Sequence, residues 1–224
     1  SILCQVGIPR RQITSTEFLR EIGDVKLAIE AGRLMIGGKW VMQPLPYGVI
    51  PRLILMHISA EAILKKTREI ELGNSVRSFL ERIGMSDSGG RRGRYESFKK
   101  QMMALAACRL TLGFQSQTVD AKPISEFVAW YGAEISGQTV LWDGSLTLSK
   151  EFYDSLIHHA VPMDLRCIQA ISHSALALDV FAWLTSRLYR ISPNSKGLVI
   201  TWAMLRQQFG QEYKCPKNVK KEFL

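Results

Sequence analysis

Two clusters of positively charged side chains hold most of the net charge of this chain. Between Gly89 and Arg109 the sequence has six Lys or Arg residues and one Glu, and between Lys214 and Leu224 it has four Lys and one Glu. The clusters contribute +5 and +3 to a formal net charge of +9, so the remaining chain is almost neutral. Lys and Arg side chains contact nucleic-acid phosphates, so the chemistry that these clusters predict is DNA binding.

The candidate DNA-binding residues lie in these two clusters. We expect base contact from Arg91, Arg92 or Arg94, because a guanidinium pairs with guanine through two hydrogen bonds and a Lys ammonium is a point charge suited to phosphate. The complete predicted set is Arg91, Arg92, Arg94, Ser97, Lys99, Lys100, Lys214, Lys217, Asn218, Lys220 and Lys221.

A helical projection separates the charged side of the first cluster from its apolar side. Arg92, Glu96, Lys99, Lys100 and Met103 fall opposite Phe98 and Leu105, so core burial and groove contact do not compete. Gly89, Gly90 and Gly93 would let backbone amides approach a phosphate, or they form a flexible turn. A charge run is usually a solvated helix face, but two clusters at equivalent places in two similar helical orders favour DNA contact.

Sequence motifs for catalysis are missing. The chain has no G-x-x-x-x-G-K-[ST] phosphate-binding loop and no G-x-G-x-x-G after a strand, so we expect no nucleotide cofactor. His158 and His159 point to different sides of a helix or strand, and the histidine pair and nucleophilic tyrosine of a rolling-circle nicking enzyme are absent. The sequence therefore predicts no enzyme, no catalytic residue, no cofactor and no metal.

Composition indicates a globular chain with reduced cysteines. Hydrophobic residues make up 46% of the sequence and charged residues 22%, outside the range of disordered chains. No two of the four cysteines have C-x-x-C spacing, and Cys108 and Cys167 lie in apolar helical patterns, which predicts that both are core residues. No stretch approaches the ~20 apolar residues of a membrane span and no export signal begins the chain, so we expect a cytoplasmic protein.

The elements of the first 148 residues predict a winged helix preceded by an extension. Residues 1–43 read as a helix from Thr16 to Glu30 and a hairpin of Arg33–Ile36 with Lys39–Met42. After a proline-rich stretch come helices at 52–66 and 76–83, a basic helix from Arg91 or Arg94 to Arg109, and alternating segments to Leu148. Helix, short helix, basic helix and hairpin is the order of a winged helix-turn-helix.

A similar order begins again at Ser149. The patterns predict helices over 149–159, 164–172 and 175–189, a strand at Leu198–Ile200, a helix over 202–209 capped by Thr201, and a basic helix near Pro216. The predicted fold class is α+β, mostly helical, with winged helix-turn-helix domains and a β-hairpin wing. We expect an N-terminal extension over 1–43, a first winged-helix domain over 44–148, and a second over 149–224 that is truncated in its recognition helix.

Several stretches resemble the plasmid-encoded RepA replication-initiator family, over about residues 44–224. They are Leu45-Pro-Tyr-Gly-Val-Ile-Pro-Arg52, Thr67-Arg-Glu-Ile-Glu-Leu-Gly-Asn-Ser75 with Phe79-Leu80 and Gly84, Ser88-Gly-Gly-Arg91, Val161-Pro-Met-Asp-Leu-Arg166, Ala175-Leu-Ala-Leu-Asp-Val-Phe-Ala-Trp-Leu-Thr185, and Gln208-Phe209-Gly210 with Tyr213. The combined order is more specific than any single motif.

The resemblance implies a bacterial, plasmid-encoded initiator. Such proteins look like tandem winged helices that bind repeated double-stranded elements (iterons) at a replication origin and open the neighbouring AT-rich DNA. The implied partners are host replication proteins such as a helicase or initiator, and a second copy in a homodimer. Two alternatives stay open: a dimerisation fragment whose basic helix is merely solvated, and a winged-helix transcriptional repressor or RNA-binding protein without initiator activity.

Overall fold

The structure is a computed structural model that describes residues 7–73, 76–85, 91–114, 117–120, 122–128, 144–192, 194, 197–213, 221 and 223. Of residues 91–94, 114, 117, 119 and 159, the backbone alone is described. These ranges contain seven helices and nine strands in three antiparallel sheets, which confirms the α+β class. None of the described helices has the length and hydropathy needed to cross a bilayer.

The predicted helix over Thr16–Glu30 is wrong, because the segment forms a β-hairpin. Strands β1 (Glu17–Ile22) and β2 (Val25–Glu30) pair in antiparallel register across a turn in which Gly23 has a φ of 57°. In β2 the side chains of Leu27 and Ile29 are buried while Lys26 and Glu30 are exposed, so the period of burial is two. Gly23-Asp24 is a hairpin turn signal that the helical interpretation overlooked.

The hairpin formed by β1 and β2 belongs to a larger sheet. Strand β2 pairs with β6 (Arg109–Phe114), and β6 pairs with β7 (Gln117–Asp120), giving the order β1-β2-β6-β7. Leu27 lies opposite Leu112 across this sheet, and both are buried. The first 43 residues therefore share a sheet and a core with residues that follow the basic helix, although the predicted division at residue 44 stays a prediction.

The predicted second hairpin is confirmed. Strands β3 (Arg33–Ile36) and β4 (Lys39–Met42) form a separate two-stranded sheet. Its turn residues Gly37 and Gly38 have φ angles of 54° and 75°. A tight hairpin turn that needs positive φ at both central positions explains the glycine pair.

Three helices and a three-stranded sheet follow. Helix α1 (Val49–Lys65) begins three residues before the predicted Arg52, because Pro51 is compatible with a first turn, whose amides have no helical acceptor. Strand β5 (Glu69–Gly73), α2 (Val76–Arg82) and α3 (Arg91–Ala107) come next. Strands β8 (Ile124–Val128) and β9 (Gly144–Leu148) complete a sheet of order β5-β9-β8. The predicted strand residues within 129–143 lie outside the described residues.

The second half of the chain contains four capped or short helices. They are α4 (Lys150–His159), α5 (Leu165–Ala170), α6 (Ala175–Leu188) and α7 (Trp202–Phe209), and all four lie where the sequence predicts helices. The side chain of Thr201 accepts a hydrogen bond from the Met204 amide, which confirms the predicted cap of α7. The predicted strand at Leu198–Ile200 is wrong, since this exposed segment pairs with no strand in the described ranges.

The two cysteines predicted to be core residues differ. Cys108 is fully buried, and burial raises the pKa of its thiol to about 12. Cys167 is exposed, so the prediction for it is wrong. The short helix α5 buries Ile168 alone, and its remaining residues stay outside the core.

A buried ion pair joins α1 to α6. The Arg52 guanidinium, with 4% of its side chain exposed, donates to both carboxylate oxygens of Asp179, at 2.7 and 2.8 Å. Its other donors bind the carbonyl oxygens of Ile8, Pro9 and Gly48. All five N–H groups of Arg52 thus have acceptors, so the guanidinium is fully satisfied away from water.

Replacing Asp179 with Ala should destabilise the fold strongly. The change leaves the Arg52 charge buried without a counter-ion, so the free energy of unfolding should fall by about 3–5 kcal/mol. Urea unfolding followed by circular dichroism measures this loss. Asp154→Ala is the matched control, because its partner Lys150 is exposed, and it should unfold like the wild type. Equal unfolding midpoints for the two variants would contradict the importance of the buried pair.

Candidate nucleic-acid interface

Helix α3 is held by one apolar side. Phe98 and Met102 are fully buried, Leu105 is 1% exposed, and Tyr95 is partly buried against the same core. The rings of Phe98 and Phe79 lie 5.5 Å apart, which joins α3 to α2. These four side chains recur at helical spacing, so the prediction that they form the inward side of the basic helix is confirmed.

The opposite side of α3 is in contact with solvent. The side chains of Glu96, Ser97, Lys99 and Lys100 are exposed, whereas Met103 is half-buried. No described carboxylate makes an ion pair with the ammonium of Lys99 or Lys100. The exposed side of α3 therefore carries two cations without an ion pair to a described carboxylate, with Glu96 one turn away from both. Ser97 and Lys100 are also one turn apart, and an ammonium with a nearby hydroxyl is suited to phosphate contact.

Other predicted site residues are placed only in part. The backbone of Arg91, Arg92 and Arg94 forms the first turn of α3, and their side chains lie outside the described residues. Lys221 is exposed. Lys214, Lys217, Asn218 and Lys220, with the helix predicted near Pro216, also lie outside the described residues. Their predicted roles stay predictions.

Gln101 fixes the position of α3, and no feature of the sequence distinguishes it. Its side chain is 3% exposed, and its carbonyl oxygen accepts a 2.8 Å hydrogen bond from the Tyr47 amide just before α1. An open groove lies beside this contact, between the start of α1 and the Ser97 and Lys100 side of α3. A buried amide within an apolar stripe thus anchors the exposed cations to the segment that begins α1.

Arg109 contributes less free charge than the sequence count suggests. Its guanidinium donates to one carboxylate oxygen of Asp120 on β7, at 2.8 Å from Nε and 2.5 Å from Nη2. The hydrogen bonds and charge of this partner lower the pKa of Asp120. Among the described side chains of the first cluster, the cations without an ion-pair partner are therefore Lys99 and Lys100 on α3.

The histidines and acids show no arrangement suited to catalysis or metal binding within the described ranges. His57 is partly buried on α1 with its ring edge-on to Phe79 at 5.2 Å, and burial lowers its pKa. Glu69 and Glu71 are exposed at alternate positions of β5. No three described His, Cys, Asp or Glu side chains come together as metal ligands.

Comparison with known proteins gives one match. The family model described as "Plasmid encoded RepA protein" matches residues 45–204. The matched range contains α1 to α6 completely, with α3 and its exposed cations, and it begins after the first four strands. No curated protein and no solved structure matches the chain.

Adjacent substitutions on α3 should separate its anchored side from its exposed side. Phe98→Ala removes a fully buried ring and should lower the free energy of unfolding by about 3–5 kcal/mol. Lys99→Ala changes an exposed side chain and should leave stability close to the wild-type value. Urea unfolding of the two variants makes the comparison. A strong destabilisation by Lys99→Ala would mean that the charged side of α3 is packed.

Proposed function

Because the chain belongs to the plasmid-encoded RepA protein family, we propose that it is a plasmid replication initiator that binds repeated double-stranded sequences at the origin. The observation that carries the DNA-binding part of this proposal is the two-sided character of α3. Phe98 and Met102 hold the helix in the core, while Lys99 and Lys100 are exposed on its outer side and pair with none of the described carboxylates. In helix-turn-helix proteins, the helix that enters the major groove is anchored on one side and exposed on the other in this way.

We further propose that α3 is the recognition helix of a winged helix within residues 44–148. Support comes from the element order α1, β5, α2, α3, β8, β9, and from the sheet order β5-β9-β8. In this assignment β8 and β9 are the arms of the wing. Strands β6 and β7 are an addition to that order, and they extend the sheet that β1 and β2 begin.

The second half of the chain is proposed to supply a second winged helix. Helices α4 to α7 precede the Lys-rich segment at 214–221, as the helices before α3 precede the first cluster. The initiator would then bind its repeat through α3 and the Lys-rich segment, act as a homodimer in one of its states, and recruit host replication proteins. It would work by binding and not by hydrolysis.

Filter binding at increasing salt tests the DNA-binding part of the proposal. Each neutralised phosphate releases counter-ions, so the logarithm of the binding constant should fall linearly with the logarithm of salt, with a slope of about −0.9 per phosphate contacted. A duplex that carries the plasmid's repeat is compared with a scrambled duplex and with RNA. The absence of measurable duplex binding would favour the dimerisation fragment, and equal or tighter RNA binding would favour an RNA-binding protein.

Paired substitutions on α3 should separate base contact from phosphate contact. Arg91→Ala with Arg92→Ala should weaken binding to the repeat by about 1–3 kcal/mol per lost base contact and reduce discrimination against the scrambled duplex. Lys99→Ala with Lys100→Ala should weaken binding to both duplexes alike and lower the salt slope by about 2. Lys26→Ala with Lys150→Ala removes two exposed lysines from other surfaces as the control. An equal loss in that control would mean that the charge acts without a localised site.

A further inference from the structure

The hairpin of β3 and β4 exposes an unusual number of large apolar side chains. Trp40 is 66% exposed, Met35 53%, Met42 46% and Val41 39%. A contiguous apolar surface of this kind on a soluble protein commonly marks an interaction site. The hairpin precedes the range that the RepA family model matches, so the interaction belongs to a part of the chain outside that model.

The strand register places most of these side chains on one face. Met35 lies opposite Trp40, and Arg33 lies opposite Met42. Directly paired residues in an antiparallel hairpin project to the same side, so this face consists of Arg33, Met35, Trp40 and Met42, and all four are exposed. The other face carries Leu34 and Ile36, which are half-buried, with their exposed partners Val41 and Lys39. We call the exposed face the Trp40 face.

The base of the hairpin is fixed to the protein. The Gln43 amide donates to the Gly32 carbonyl oxygen at 2.9 Å, and the buried Gln43 side chain donates to the Val41 carbonyl oxygen at 3.1 Å. Gly32 packs so closely on the last turn of α3 that a Cβ there would lie 2.0 Å from the Ala107 carbonyl oxygen. A two-stranded hairpin is marginally stable alone, and these contacts explain how the Trp40 face is held.

The charge around the Trp40 face is positive. Residues 31–60 contain Arg33, Lys39 and Arg52 but no acid, and Arg52 is buried in its ion pair with Asp179. Packing of this face against the same face of a second copy would bring the two Arg33 guanidiniums together without a carboxylate from either hairpin, and Lys39 beside each turn adds further positive charge. That repulsion disfavours self-association and favours a polyanion.

We propose that the Trp40 face is a binding platform for single-stranded DNA. The Trp40 indole stacks on an unpaired base beside Met35 and Met42, and Arg33 on the same face contacts a flanking phosphate. Lys39, beside the turn on the other face, adds positive charge to the hairpin that attracts the strand. Unpaired strands offer free base faces, whereas a duplex presents phosphates and base edges that would leave the apolar side chains unmatched. The platform is a site additional to the proposed duplex contact through α3.

Anisotropy of a labelled oligo(dT), measured with the full chain, tests the platform. Trp40→Ala should weaken oligo(dT) binding at least about fivefold, while Trp40→Phe should retain most of the affinity because a phenyl ring also stacks. Arg33→Ala with Lys39→Ala should also weaken binding and make it less sensitive to salt. Leu64→Ala removes an 81% exposed apolar side chain elsewhere and should have no effect. Affinity for the repeat duplex should stay at the wild-type value in all these variants.

Three results would overturn the proposal. Oligo(dT) affinity could be unchanged in Trp40→Ala, or duplex affinity could fall in parallel, which would make the hairpin a wedge in the duplex interface. Trp40→Ala could also shift the sedimentation of the protein towards a smaller species while leaving oligo(dT) binding intact, which would assign the face to a second copy. If Trp40→Ala does not fold, the Arg33 and Lys39 double variant decides. Because oligo(dT) binding is measured without duplex present, a failure of duplex recognition by α3 would leave the oligo(dT) comparison intact.

Discussion

The buried Arg52 guanidinium connects three parts of the chain that are far apart in sequence. It lies on α1, its carboxylate partner Asp179 lies on α6, and its carbonyl acceptors lie in residues 8–9 and at Gly48. A planar group with five donors in fixed directions can satisfy this set of acceptors, whereas a Lys ammonium with three cannot. Since α3 packs on α1, the same guanidinium also sets the direction in which the exposed cations of α3 face relative to the second half of the chain.

A second charged cluster joins the N-terminal strands to the segment that follows α7. The Glu212 carboxylate accepts from both Arg10 and Arg20, and Arg10 also donates to the Phe209 carbonyl oxygen at the end of α7. Burial lowers the pKa of Arg20, and the charge of Glu212 opposes that effect. The Lys-rich segment begins at residue 214, two positions after Glu212. Glu212 is therefore attached to β1, in the part of the chain that the sequence analysis assigned to an N-terminal extension.

The sequence predicted an element well where the period of its own apolar residues determines its structure. The stripe of Tyr95, Phe98, Met102 and Leu105 defines α3 because its period is helical and its members pack into one core, Tyr95 in part and the other three completely. The structural roles of Arg52 and Gln101 could not be predicted in this way, because a polar residue within an apolar stripe only interrupts the periodicity and gives no sign of its partner. The partner of Arg52 lies 127 positions away, and that of Gln101 lies 54 positions away in a backbone amide. The alternating burial of β2 arises because it pairs with β6, which lies beyond α3 in the sequence. The residues of β1 and β2 alone do not reveal this partner.

The first 43 residues form part of the same core as the helices that follow them. Strand β2 is central in its sheet, with β1 on one side and β6 on the other, and its Leu27 and Ile29 belong to the same core as α1 and α3. Gly32 then brings the chain against the last turn of α3, and β3 also contacts that helix. Removal of a segment that shares a core with the proposed recognition helix and packs on its last turn should loosen that helix. The N-terminal strands are therefore a structural support of the proposed DNA-binding surface, whatever the Trp40 face binds.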